Sequence, residues 1–129
     1  MMLFSGCNSG AISSTKIADA QSSYDEALAK LSSGEMQGAL SAIEQSLAAG
    51  GLNPDLYASA LLVRAECYVA ANRIDDAASD LQTAEQGAPD EARLHYVRGL
   101  ILNAQGDSTG AKREFSAAKR LDRSLKTPL

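Results

Sequence analysis

The chain has 129 residues, of which 45% are hydrophobic and 5% aromatic, with no Trp and a net charge of −4. This length fits one domain, and the modest negative charge argues against nucleic-acid binding, which needs a basic surface to release counterions. The charge is uneven, because acids exceed bases between Asp55 and Glu91 whereas bases exceed acids between Lys112 and Lys126. We interpret both stretches as solvated helix faces; attraction between copies, or of the basic end to an acidic surface, is the alternative.

The first predicted element, residues 1–13, resembles the end of a bacterial lipoprotein signal, since Phe4-Ser5-Gly6 places small residues just before Cys7. In that family the cysteine thiol is lipidated, so the resemblance implies a lipid on Cys7 followed by a flexible tether. Only six residues precede Cys7 and none is charged, whereas a complete signal has a charged start and an apolar run of roughly 7–15 residues. Two alternatives therefore stay open: a start further upstream, or a coincidence of small residues in a disordered cytoplasmic N-terminus.

Six helices are predicted after this segment, because apolar residues recur at helical spacing between breaks rich in Gly, Asn and Pro. We expect Ser14 or Thr15, Asp55 and Asp90 to cap the first, third and fifth helices. No strand-like alternation occurs, and no apolar run approaches the roughly 18 residues that span a membrane. The predicted helices run from Ser14 or Thr15 to Leu31, Met36 to Leu47, Asp55 to Val69, Ile74 to Gln86, Asp90 to Ala104 and Thr109 to Leu121.

The last two thirds of the chain repeat at a period of 34 residues. One set of residues comprises Asn72-Arg73, Ala77, Leu81, Ala84 and Pro89, and the next set comprises Gly106-Asp107, Ala111, Phe115, Ala118 and Arg123. Paired helices at this period are typical of helical repeats that cannot bury their apolar faces alone and therefore stack.

These residues resemble the tetratricopeptide repeat family. The resemblance implies an all-α fold, a right-handed superhelix of three helix-turn-helix repeats (20–53, 58–91 and 92–125) within a domain 14–125, followed by a frayed tail 126–129. The family places small residues where helices approach closely, and the matching positions here are Ala65, Ala77, Gly99 and Ala111. The sequence departs from the pattern at Lys30, Ser46, Asn103 and Arg123, and the loop after the first repeat is four residues longer.

In this family the first helix of each repeat lines a concave groove that holds another protein or a peptide. The resemblance therefore implies a peptide-binding groove and no cofactor. Tyr24 and Tyr96 would each anchor an apolar peptide, or else cover the core. The lining residues that the resemblance implies are Tyr24, Leu28, Leu31, Leu62, Glu66, Val69, Arg93, Tyr96, Leu100 and Asn103.

Catalysis is not expected. His95 is the only histidine, no metal-binding or nucleophile motif occurs, and the acidic residues Asp75, Asp76 and Asp80 lack the spacing of a calcium loop. We expect a protein-binding scaffold tethered to a bacterial envelope and facing the periplasm. The alternatives are a cytoplasmic adaptor or secretion chaperone, and a module that self-assembles through a C-terminal edge formed by Leu121, Leu125 and Leu129.

Overall fold

The structure is a computed structural model that describes residues 13–87 and 89–129. In these ranges the chain forms six α-helices and no strand, which confirms the predicted all-α helix-turn-helix architecture. Cys7 and most of the predicted tether lie outside the described residues. The helices are α1 (Ser14–Ser32), α2 (Met36–Ala49), α3 (Pro54–Ala70), α4 (Ile74–Ala84), α5 (Glu91–Ala104) and α6 (Ser108–Leu121).

The helices pair as three hairpins that stack in chain order. α1 packs with α2, α3 with α4, and α5 with α6, while α3 also lies against α2 and α5. Among the six described helices, α6 packs on α5 alone, and neither helix of the first hairpin touches the last hairpin. The array is therefore an open solenoid, in which each hairpin buries its apolar face against its neighbour.

Each first helix of a repeat ends in the same backbone motif. Gly34, Asn72 and Gly106 have positive φ angles of 81°, 60° and 91°. The amide of the following residue donates to the carbonyl five residues earlier, with N–O distances of 2.8 Å for Glu35 and 2.8 Å for Arg73. This is the Schellman ending, and Gly or Asn is the residue type that accepts its left-handed backbone most readily. The repeated motif turns the chain in the same way in all three hairpins.

Two of the predicted helix caps are wrong by one or two residues. Ser13, and not Ser14 or Thr15, caps α1, because its hydroxyl accepts a hydrogen bond from the Lys16 amide at 3.2 Å. Asn53, and not Asp55, caps α3, because its side-chain oxygen accepts from the Leu56 amide at 2.9 Å. Pro54 explains the second correction. It lacks an amide hydrogen and so is tolerated at the first helical position, and it holds the preceding residue in the extended conformation that a cap requires. Asp90 caps α5 as predicted.

The small residues of the repeat lie at buried helix contacts. Ala65, Ala77 and Ala111 are fully buried, and Gly99 lies against the ring of Phe115. Ser46, which departs from the family pattern, is also fully buried, but its hydroxyl donates to the Ala20 carbonyl at 2.7 Å. The departure is accommodated because the buried hydroxyl has a hydrogen-bond partner.

The chain turns sharply after α6. Leu121 ends the helix, so the helical part of the third repeat stops before residue 125. The Asp122 carboxylate then accepts hydrogen bonds from the Ser124 amide at 2.9 Å and from the Ser124 hydroxyl at 2.6 Å. We call residues 122–129 the C-terminal segment. Its turn directs the following residues back over the solenoid.

Candidate functional site

The first helices of the three repeats face one concave cavity of about 440 Å³, which we call the groove cavity. It is lined by residues of α1, α3 and α5 and by the C-terminal segment. Five of the ten groove residues implied by the sequence meet here: Leu28, Leu31, Glu66, Arg93 and Tyr96. The other lining residues are Ser32, Ser124, Leu125 and Lys126.

An ion pair between α3 and α5 forms the polar part of the groove cavity. An Arg93 guanidinium nitrogen (Nη1) donates to the Glu66 carboxylate (Oε1) at 2.8 Å. Glu66 is only 9% exposed. Its burial raises the pKa of the carboxyl group, and the nearby Arg93 charge opposes that shift. The pair thus places a charged group from each of two repeats on one wall of the cavity, next to apolar side chains of α1.

Two tyrosines lie on the first helices of the first and third repeats, Tyr24 on α1 and Tyr96 on α5. Tyr24 and Tyr96 are both half-buried, and burial is the main reason that the pKa of each phenol is raised. The positive charge of Arg93 acts against both shifts. Both hydroxyls remain protonated at neutral pH and are available as hydrogen-bond donors. Only Tyr96 lines the groove cavity itself, and its ring centroid lies 5.9 Å from that of Phe115.

Leu62 is not available to a ligand, which corrects the sequence-based expectation. Its side chain is fully buried in the core cluster that joins α3, α4 and α5, together with Val97 and Ile101. The family pattern places Leu62 on the groove-facing helix, but the adjacent helices cover it. Of the remaining implied residues, Val69 packs against the same cluster and Asn103 is exposed.

The remaining two implied residues, Tyr24 and Leu100, are half-buried and do not line the groove cavity.

The contribution of the C-terminal segment to the cavity was not expected from the sequence, which indicated a frayed end. Leu125 is half-buried at the cavity, and the chain reaches this position through the turn at Asp122. Asp-x-Ser after a helix is the local signal for such a turn. The direction in which the turn sends the chain depends on the curvature of the whole stack, which no local pattern contains.

Two polar side chains that the sequence analysis considered, His95 and Asp80, have structural partners. His95 lies 2.6 Å from the Glu114 carboxylate and so links α5 to α6. Asp80, only 6% exposed, receives two hydrogen bonds from Arg64, each 2.7 Å long, which join α3 to α4. Cys67 is buried, and burial raises the pKa of its thiol to about 11. His95 and Asp80 therefore stabilise contacts between helices, and Cys67 is a buried residue of the core.

Two further tests concern metals and membranes. In residues 13–87 and 89–129, no group of three His, Cys, Asp or Glu side chains is arranged to hold a metal ion. None of the helices in the described part of the chain has the length and apolarity that a membrane crossing requires.

An open stack of helix hairpins with a concave cavity built from the first helix of each repeat defines a helical-repeat solenoid. The family model of the tetratricopeptide repeat matches residues 30–101, which is more than half of the chain. The chain therefore belongs to the tetratricopeptide repeat family, whose repeats generally mediate protein–protein interaction and are typically not catalytic. No curated protein matches the chain in sequence.

Proposed function

We propose that this chain is a non-enzymatic module that holds a segment of another polypeptide in the groove cavity. The observation that supports this most directly is that side chains of all three repeats line one concave space of about 440 Å³. That volume lies within the range of roughly 300–1,000 Å³ that is usual for ligand sites. Because the cavity spans the repeats, a bound segment would contact residues that are distant in the sequence.

The side chains of the cavity define the kind of segment that fits. Leu28 and Leu31 offer an apolar surface on α1, whereas Glu66 and Arg93 offer polar groups on the opposite helices. The ion pair holds Arg93 in place, so little side-chain freedom is lost when a ligand binds to it. A segment with one or two apolar anchors beside a hydrogen-bonding group is therefore the expected ligand.

A blocking variant tests this proposal. Leu28→Lys with Leu31→Lys places two long charged side chains at the apolar wall, and both positions are partly exposed, so the lysines can extend to solvent. The matched control is Gln37→Lys with Gln82→Lys on exposed positions of α2 and α4, away from the cavity. Peptides selected from a random display library on the wild-type protein are then measured by fluorescence anisotropy on all three proteins.

We expect the selected peptides to bind the wild-type protein and the control equally, and to lose at least about tenfold in affinity on the blocking variant. Circular dichroism and thermal unfolding establish that both variants are folded. Peptides that bind the blocking variant as tightly as the wild type would place the binding surface elsewhere and overturn the proposal.

We further propose that the module is tethered to a bacterial cell envelope by a lipid on Cys7, where it acts as an assembly or scaffold protein. The support is the sequence Phe4-Ser5-Gly6-Cys7 alone. Expression in bacteria from the native gene with its upstream sequence, in the presence of an alkyne fatty acid, tests it. We expect the label on the wild-type protein and on Cys67→Ser, and none on Cys7→Ser. An unlabelled wild-type protein would favour the cytoplasmic adaptor or chaperone instead.

A further inference from the structure

We propose that copies of this chain associate head to tail, with the basic end formed by α6 and the C-terminal segment docking on the acidic hairpin α1–α2 of the next copy. The two surfaces lie at opposite ends of the open solenoid, since no helix of the first hairpin touches α5 or α6 in the described chain. Apart from Lys126, the charged residues proposed for the association lie outside the lining of the groove cavity.

The basic end has an excess of charge without partners. Six bases are exposed there, and none has a carboxylate oxygen within 4.0 Å among the residues that the structure describes: Lys112, Arg113, Lys119, Arg120, Arg123 and Lys126. The two acids of the same stretch are already engaged, Glu114 by His95 and Asp122 by Ser124. By contrast, the arginines in the middle of the chain all form ion pairs.

The acidic end carries the complementary charge. Five acids are exposed on or beside α1 and α2, against two bases, Lys16 and Lys30. Only Glu26 among these acids has a base within 4.0 Å in the described structure, which is Lys30 at 3.4 Å. The acids of this hairpin are Asp19, Asp25, Glu26, Glu35 and Glu44.

Each of the two ends also has a cleft at its surface. The basic end has a cleft of about 350 Å³ in which Phe115 and Leu129 lie between Lys112 and Lys119. Leu121 and Leu129 are 54% and 49% exposed there. The acidic end has a cleft of about 200 Å³ between α1 and α2, lined by Glu26, Lys30, Gly38, Ser41, Ala42 and Gln45, with no residue of α3. Exposed Leu side chains among unpaired bases indicate a protein partner whose surface carries acidic side chains. The α1–α2 hairpin of a second copy is such a surface.

A dimer held by a contact between two different surfaces leaves one surface of each kind free, unlike a two-fold dimer. Association should therefore continue beyond the dimer as concentration rises. It should also weaken with salt, because the Debye length falls from about 10 Å at 0.1 M to about 3 Å at 1 M.

Two variants remove one surface each. Lys112→Gln with Lys119→Gln removes the charge of the basic cleft, and Glu26→Lys with Gln45→Lys reverses the acidic cleft; all four positions are exposed. The control for the second variant is Asp75→Lys with Gln82→Lys on exposed positions of α4, which changes the net charge equally. Sedimentation equilibrium with a reducing agent, which excludes disulfides through Cys7, measures the mass of each protein and of mixtures.

We expect the wild type and the control to associate at low salt, with an association constant at least about tenfold lower near 1 M salt. Each of the two surface variants, which we call the edge variants, should be monomeric on its own. The contact needs one basic and one acidic surface, and every copy of a given variant lacks the same one. A mixture of the two edge variants should form a 1:1 dimer that does not grow, because the basic end of one and the acidic end of the other remain intact.

Several results would overturn the proposal. One is a wild-type protein that stays monomeric at millimolar concentration and low salt. A second is association that persists in both edge variants. A third is a mixture of edge variants that grows beyond the dimer or does not associate. Binding of a monomeric wild type to anionic vesicles through Lys112 and Lys119 would identify a lipid surface as the partner instead.

Discussion

Gly99 offers a direct test of how closely α5 approaches α6. A Cβ atom built on Gly99 would lie 2.5 Å from Cε1 and 2.6 Å from Cδ1 of the Phe115 ring, well inside van der Waals contact. Phe115 is only 2% exposed, so its ring is closely surrounded by other atoms of the chain. Gly99→Ala should therefore force the two helices apart or tilt the ring.

Two opposing terms set the size of the effect. Overpacking a core by one methyl group costs about 1–3 kcal/mol, whereas replacing Gly by Ala inside a helix gains about 1 kcal/mol. We expect Gly99→Ala to lower the free energy of unfolding by about 1 kcal/mol. Gly38→Ala is the matched control, because its added Cβ meets only the Lys30 side chain, which is flexible and partly exposed. That variant should gain about 0.5–1 kcal/mol.

Urea unfolding gives both values, provided that the slope with urea does not change between variants. Repeating Gly99→Ala in a Phe115→Leu background removes the clash, so there the substitution should become neutral or stabilising. If Gly99→Ala stabilises the wild-type protein as much as Gly38→Ala does, the close approach of α5 and α6 is wrong, and the register of the third repeat with it.

Three further outcomes follow from the caps, the buried thiol and the buried carboxylate. Asn53→Ala should lower the free energy of unfolding in urea by about 1 kcal/mol, and Asp55→Ala should lower it by only about a few tenths of a kcal/mol. The reverse order would show that Asp55 is the cap of α3. Burial raises the pKa of the Cys67 thiol to about 11. In a Cys7→Ser background at pH 8, Cys67 should therefore react with a disulfide reagent at least about a hundredfold more slowly in the folded protein than in the unfolded protein. Equal rates in the two states would contradict the burial of Cys67. Because burial raises the pKa of Glu66, the folded state binds the proton more tightly. The contribution of Glu66 to stability is therefore greatest below about pH 4.5. As the pH rises, the stability of the wild type should fall relative to that of Glu66→Gln, and a difference that changes in the opposite direction would contradict the raised pKa.

The fold could be predicted from the sequence because each repeat contains its own turn residues and its own small residues at helix contacts. Positive-φ turn residues recur at Gly34, Asn72 and Gly106, and small residues such as Ala77 and Ala111 mark the close helix contacts. Periodicity, turn residues and packing therefore all indicate the same architecture. A sequence specifies one structure when these signals agree.

The groove was less predictable, because its lining depends on how the hairpins are rotated relative to one another. Leu62 and Glu66 stand one helical turn apart on α3, but the first is fully buried and the second borders the cavity. A helical pattern assigns both to the same face. The path of Leu125 to the cavity likewise requires the three-dimensional curvature of the stack, so only the tertiary structure could reveal it.

The C-terminal segment connects the two surfaces proposed for binding. Leu125 and Lys126 line the groove cavity, whereas Thr127 and Leu129 line the cleft at the basic end. Because these residues are adjacent in the chain, we expect a copy that docks at the basic end and moves Leu129 to shift the wall of the groove cavity as well. Linkage then requires that a groove peptide change the self-association constant by the same factor by which association changes the peptide affinity. Sedimentation with and without a selected peptide measures the first factor, and anisotropy on the 1:1 dimer of edge variants measures the second. A peptide that leaves association unchanged in the full chain would show that the segment does not transmit movement between the two surfaces.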